Sequence, residues 1–227
     1  MIRAVAFDLD YTLAVPERPR AELLDRAAAR VGAPRVDREA YLEAHDAVHP
    51  RETRAPIFAE LFETEAVDPE QMATADPEAM ATAYREEIAA AITPISGVPE
   101  LVERLRERYR VGLLTDGPVR AQADKLETLG WSGLFDAVVI TGELDAGKPD
   151  PAAFETLCER LEVEPTATVY VGDHPVMDVA GARAAGLRAI QVTYPGGPAP
   201  DSRADAHVER DELATELAAV IDRIFAD

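Results

Sequence analysis

The stretch Ile2-Arg-Ala-Val-Ala-Phe-Asp8-Leu-Asp10-Tyr-Thr-Leu13 constrains the fold more than any other part of the chain. Its apolar run is too continuous for a strand with one wet face, and it stops at two carboxylates one residue apart. That pattern reads as a buried parallel strand carrying acids to its carboxyl end. Open α/β sheets place their chemistry at that end. Two acids and a threonine near a turn are common, however, and taken alone a capped turn would account for them.

The segments that follow give those acids weight. From residue 94 onward, strands and helices alternate: helix 99–108, strand 111–115, helix 121–130, strand 137–140, helix 151–161, strand 168–171, helix 176–186 and strand 188–192. This spacing predicts right-handed βαβ units, a parallel sheet and the α/β fold class. Residues 195–200 read as a Pro/Gly-rich surface loop and 211–225 as a last amphipathic helix. Before residue 94 the pattern is helical. A helix over 20–32 has Leu23, Leu24, Ala27 and Val31 on its apolar face and Gly32 at its close. Asp37 caps a second helix toward His45, residues 57–62 form a third, and 76–92 a fourth with Pro77 as its first helical residue. Pro16 and Pro19 mark one hinge of this insert, and 93–99 the other.

Three strand ends or turns carry further polar groups. Arg110-Val-Gly-Leu-Leu-Thr115-Asp116-Gly117 ends in a hydroxyl and a glycine, Gly147-Lys148-Pro149-Asp150 supplies an isolated lysine, and Thr168-Val-Tyr-Val-Gly172-Asp173 ends in an acid with Asp178 five residues on. In this order the four segments resemble the motifs of the haloacid dehalogenase superfamily, in its phosphatase-like subfamily I with a helical C1 cap. The resemblance rests on Asp8 and Asp10, then Thr115, then Lys148, then Asp173 and Asp178. It implies a doubly wound, Rossmann-like core over 1–13 and 94–227, with an all-helical cap domain inserted at 14–93.

It also implies a chemistry. A phosphomonoester dianion repels a carboxylate nucleophile, so attack by Asp8 needs neutralisation first. The family resemblance assigns this to Mg2+, held by Asp8, the Asp10 backbone carbonyl and Asp173, all hard oxygen donors. Lys148 is the second positive charge, bridging Asp8 and the phosphoryl oxygens; an isolated lysine is ordinarily a solvated surface group, but this chain has only one other, Lys125. Thr115, with backbone N–H groups of Asp116 and Gly117, is expected to bind the phosphate. Asp10 is expected to act as general acid and then base. Asp178 is expected to orient Lys148 or a metal-bound water, or else simply to supply charge at a helix start. Asp116 is a departure, since many family members carry asparagine there, and Thr-Asp-Gly is similar to an archaeal branch acting on small phosphoesters such as glyceraldehyde 3-phosphate. His174 reads as an exposed loop residue.

The expected activity is therefore that of a small-metabolite phosphatase working through an aspartyl-phosphate, with a phosphosugar mutase or a non-catalytic phosphate-binding protein as the alternatives. Dehalogenases of the family lack the second aspartate, present here as Asp10. Its phosphonate hydrolases need a cap lysine, and the insert has none. A nicotinamide-binding domain would need a glycine-rich turn after the first strand, and a receiver module would carry its phosphoacceptor on the third. Arg51 and Arg54 are the clustered cations of the insert and candidates to meet a second anionic group of the substrate.

A formal charge of −20 opposes binding to nucleic acid or anionic membranes. One cysteine, Cys158, on an apolar helix face, and no long apolar run suggest a cytoplasmic protein, monomer or homodimer. The evenly spread acid further suggests adaptation to a salt-rich, halophilic cytoplasm, in which salt screens self-repulsion. On that reading, the melting temperature climbs steadily from dilute buffer to molar salt in a scanning fluorimetry series; a flat series would reject it.

Overall fold

A computed structural model describes residues 1–48, 50–64 and 75–224. His49, in the stretch between Tyr41 and Arg54, and Phe225, the expected end of the final helix, lie outside the described residues. Two compact units emerge: Met1–Val15, Pro94–Asp116 and Gly130–Asp227 form one, and Pro16–Thr93 with Gly117–Leu129 the other.

The first unit is built on the predicted parallel sheet. Strands β1 (Ala4–Phe7), β4 (Arg110–Thr115), β5 (Ala137–Ile140), β6 (Thr168–Gly172), β7 (Arg188–Thr193) and β8 (Ala206–Glu209) lie in the order β5-β4-β1-β6-β7-β8. The chain runs outward from β1 through β4 and β5, then crosses back to β6 on the other side. Phe7 pairs with Leu113 of β4 and with Val171 of β6. That register brings the ends after Phe7, Thr115 and Gly172 side by side, at the carboxyl ends where doubly wound sheets bind ligands. Two short strands, β2 (Ala14–Pro16) and β3 (Ile92–Pro94), pair as a ribbon where the chain leaves and re-enters this unit.

In the second unit α1 (Arg20–Val31), α2 (Arg38–Val48), α3 (Ala55–Thr64) and α4 (Pro77–Ala90) enclose a core of their own, including Leu23, Leu24, Tyr41, Phe58, Met80 and Tyr84. Tyr84 meets Tyr41 and Phe58 edge-on, at centroid distances of 5.5 and 6.1 Å. The helix limits follow local chemistry. Gly32 ends α1 in the left-handed conformation, Asp37 accepts hydrogen bonds from Glu39 and Ala40 N–H groups ahead of α2, and Asp76 caps α4 with Pro77 at its first position.

The remaining helices are α5 (Val98–Arg106), α6 (Val119–Thr128), α7 (Pro151–Leu161), the short α8 (Gly181–Ala184) and α9 (Leu213–Ile224). The helix expected over 176–186 starts instead as a π-helical turn, Pro175–Ala180, that runs into α8. The unit division also departs from the expected boundaries, because residues 117–129 group with the helical unit. Val119 and Arg120 N–H groups donate to the carbonyls of Arg51 and Glu52, and Arg85 of α4 meets Asp124 of α6 at 3.2 Å. These ties bind α6 to the insert. No helix among the described residues is long and apolar enough to cross a membrane.

In the first unit's core, α7 packs on β4 and β5. Leu157 and Leu161 lie directly over Gly112 of β4, where a Cβ would come within 3.0 Å of both side chains. Close packing leaves no room for β-branched bulk there. Gly112→Val should lower unfolding free energy by about 1–3 kcal/mol in a denaturant titration, the usual cost of overpacking.

Candidate active site

Lys148 is the centre of the site. Its side chain is 3 % exposed, and burying an ammonium is tolerable only if its donors find acceptors. All three do: Nζ donates to Asp8 Oδ1 at 2.8 Å, to Asp178 Oδ1 at 2.6 Å and to the Tyr170 hydroxyl at 3.2 Å. Tyr170 in turn donates to the Leu114 carbonyl at 2.9 Å. Each acceptor comes from a different part of the sheet edge: Asp8 follows β1, Tyr170 lies in β6, and Asp178 lies in the π-helical turn.

The wide turn brings Asp178 back over the end of β6. A Cβ on Gly172 would overlap the Asp178 carboxyl group, so the strand ends in glycine because the acid occupies that space. Asp178 Oδ2 also accepts from His174 N–H at 2.8 Å. His174 itself is exposed and caps the turn, its Nδ1 accepting from Val176 and Met177 N–H groups.

Asp116, the departure from the family pattern, has a local role. Its Oδ1 accepts from the Lys148 backbone N–H at 3.1 Å, and its Oδ2 lies 3.6 Å from Nζ. Gly147 faces this carboxylate closely enough that a Cβ would clash with it, at 2.8 Å. The acid thus pins the turn that carries the lysine. Thr115 is fully buried at the end of β4, and Pro118 rather than Thr115 occupies the capping position of α6. Gly117 has φ 135°, in the region that favours glycine.

Asp8, Asp173 and Asp178 form a buried group whose ligand oxygens all lie within 4.8 Å of one another. Three carboxylates against one ammonium leave negative charge uncompensated in a low dielectric. Burial, aided by Asp178 and Asp173, drives the Asp8 carboxyl well above its usual range despite Lys148. Burial opposes a charged Lys148, but Asp178 and Asp8 overcome it and hold the ammonium protonated. Burial, with Asp178, pushes Asp173 up to about 6. Asp10 lies half-buried in the turn after β1. An all-oxygen donor set with excess negative charge suits a hard divalent cation such as Mg2+.

Around these acids stand residues that sequence reasoning passed over. Tyr170 and Gln191 are polar groups inside otherwise apolar central strands, a break in pattern that could have singled them out. Gln191 Nε2 donates to the Asp173 carbonyl at 3.2 Å, and the Tyr194 hydroxyl donates to Asp173 Oδ2 at 2.9 Å.

Arg51 and Arg54 belong to the helical unit. Arg54 lies with its guanidinium carbon 5.6 Å from the Tyr84 ring centroid, against that unit's aromatic core. With Thr53, Thr82, Arg85 and Arg120 it also lines a small cavity there.

A family model for haloacid dehalogenase-like hydrolases matches residues 2–186. The chain belongs to the haloacid dehalogenase-like hydrolases. Among curated relatives, this hydrolase is 33 % identical to a glyceraldehyde 3-phosphate phosphatase of Methanopyrus kandleri, over 85 % of this chain and 84 % of the relative. It is 31 % identical to a validoxylamine A 7'-phosphate phosphatase of Streptomyces hygroscopicus subsp. limoneus, over 97 % and 96 %. Among solved structures, it is similar to a 2-haloacid dehalogenase from Pseudomonas syringae pv. Tomato DC3000, with TM-score 0.71, 26 % identity and coverage of 98 % and 99 %.

The raised Asp173 pKa sets a pH dependence for the metal-free hydrolase. A carboxyl whose folded value lies near 6, above its unfolded value near 3.8, binds its proton more readily in the native state. Its contribution to stability is complete below about 4 and is lost as pH rises through about 6. In EDTA the melting temperature should therefore be higher at pH 5 than at pH 7, and Asp173→Asn should narrow that difference.

Proposed function

We propose that this hydrolase is a Mg2+-dependent phosphatase of small phosphorylated metabolites that works through a phosphorylated Asp8. The observation that carries the reading is the buried cluster itself: Asp8, Asp173 and Asp178 gathered about Lys148, with more carboxylate than ammonium charge. Asp8, Asp173 and the Asp10 backbone carbonyl would hold the cation, which when bound screens the nucleophile from the phosphate dianion.

The residues of the chain then divide the reaction. Asp8 attacks phosphorus, forming an acyl-phosphate bond as the bond to the leaving oxygen breaks. Asp10 gives that oxygen its proton. Water then attacks the phosphoryl group, Asp10 takes the water proton, and inorganic phosphate leaves with Asp8 restored. Lys148 holds one Asp8 oxygen and meets the charge that develops on the phosphoryl oxygens, while Thr115 and the N–H groups of Asp116 and Gly117 cradle the phosphate. Asp178 keeps Lys148 aimed. The hydrogen bonds from Lys148 to Asp8 and Asp178 support this division, because they hold the ammonium beside the nucleophile.

The phosphatase names of both curated relatives favour hydrolysis over a mutase. The name of the Methanopyrus kandleri relative, and the Thr115-Asp116-Gly117 string, put glyceraldehyde 3-phosphate first in a substrate screen. The charge of −20 argues against polyanionic partners. The helical unit fits the family's cap, with Arg51 and Arg54 as its candidates for a second anionic group.

Phosphate release from p-nitrophenyl phosphate and a metabolite-phosphate panel tests the reading. Activity should need Mg2+ and vanish in EDTA. Asp8→Asn should abolish turnover with its circular dichroism spectrum unchanged, and Asp10→Asn should reduce kcat by about 10²–10⁴-fold. Sustained turnover by Asp8→Asn would overturn the mechanism.

A further inference from the structure

We infer that Tyr194 is a positioning residue for the cation-binding carboxylate, setting how Asp173 presents its oxygens; this rests on the assignment of Asp173 as a Mg2+ ligand. Asp173 sits on the loop just past β6, where backbone pairing has ended. Its neighbour strand β7, paired through Gly172 and Gln191, and the residue just after it supply two clamps three residues apart. Gln191 holds the Asp173 carbonyl. Its amide is fully engaged, with Nε2 also donating to the Ala199 carbonyl at 3.2 Å and Oε1 accepting from Asp201 N–H at 2.7 Å. The backbone of Asp173 is thereby fixed, but its carboxylate could still rotate. Tyr194 restrains it, donating from its hydroxyl to Oδ2 at 2.9 Å. A donor on one carboxylate oxygen sets the plane of the group and leaves the other oxygen's lone pairs for a metal.

The ring that carries this hydroxyl is held on several sides. The Arg210 guanidinium carbon lies 3.9 Å from its centroid. Arg210 Nε is buried and makes no hydrogen bond among the described residues, so the ring is a principal neighbour of its charge. A cation on a phenol face draws electron density from the ring and strengthens the hydroxyl as a donor. Tyr11, directly after Asp10, stacks on Tyr194 at 6.3 Å and an interplanar angle of 15°. It does so from a left-handed backbone, φ 64°, that a side chain of this size rarely adopts. Gly197, whose N–H returns to the Tyr194 carbonyl at 3.0 Å, closes the turn against the ring, and a Cβ there would come within 2.6 Å of it. A residue that merely filled space would not need its hydroxyl aimed, whereas here the turn, the arginine and Tyr11 all hold the phenol on one carboxylate oxygen.

Tyr194→Phe keeps the ring and removes only the hydroxyl, so Mg2+ titration calorimetry on the full chain separates positioning from packing. The expected result is a Mg2+ Kd about 10–100-fold higher than wild type, an equal rise in the Mg2+ concentration that half-activates p-nitrophenyl phosphate hydrolysis, and an unchanged melting temperature in EDTA. Arg210→Gln should raise the Kd in the same direction by a smaller factor. It decides the matter by the same titration should Tyr194→Phe melt well below wild type. A wild-type Kd in the folded variants would overturn the role of Tyr194 while leaving the phosphatase reading intact. Failure of the wild-type chain itself to bind Mg2+, in step with Asp173→Asn, would overturn both.

Discussion

One buried ammonium holds the site together. Lys148 lies among Asp8, Asp178 and Tyr170, groups that are far apart in sequence, and none of the two acids' charges could be buried so closely without it. The constraint runs in both directions. The lysine needs three acceptors at fixed positions, and the end of β1, the body of β6 and the turn after β6 supply them. The sheet order, with β1 between β4 and β6, is what makes those parts adjacent.

The surroundings serve this arrangement through small residues and tight turns. Gly172 makes room for Asp178, Gly147 for Asp116, and Gly112 for the leucines of α7. The π-helical turn after Asp173 widens the backbone so that Asp178 reaches back over β6 while its Oδ2 takes the His174 N–H. On the far side of Asp173, β7 contributes Gln191, and Tyr194 follows directly after it. The carboxylates are therefore bound by hydrogen bonds from two neighbouring strands and a turn, so charge balance and backbone geometry are settled together.

Much of this was legible beforehand. The sheet strands β1, β4, β5, β6 and β7 announce themselves as continuous apolar runs, because strands buried on both faces leave no polar residues to alternate. Asp8 and Asp173 stand out because they follow such runs, Asp178 as the acid five residues after Asp173, and Lys148 as one of only two lysines in the chain. The strands β2, β3 and β8 passed unseen, being short and without the continuous apolar run that marks β1 and β5. Residues 117–129 looked like one more helix of the core, yet α6 is tied to the insert by backbone hydrogen bonds to Arg51 and Glu52 that no local pattern reveals. Arg54 read as a candidate to meet a second anionic group of the substrate, and the fold places it against the Tyr84 ring.

The sequence by itself determined the fold class, the helical insert and the family, since these depend on periodicity and on a few residue types in a set order. Only the tertiary structure decided who touches whom. Asp116 steadies the lysine turn, His174 caps a helix, Tyr170 completes the lysine's acceptors, and Tyr194 grips Asp173. The physical reason is that hydrogen bonds act over about 3 Å, between atoms whose closeness comes from strand register, side-chain rotamers and turn geometry rather than from distance along the chain.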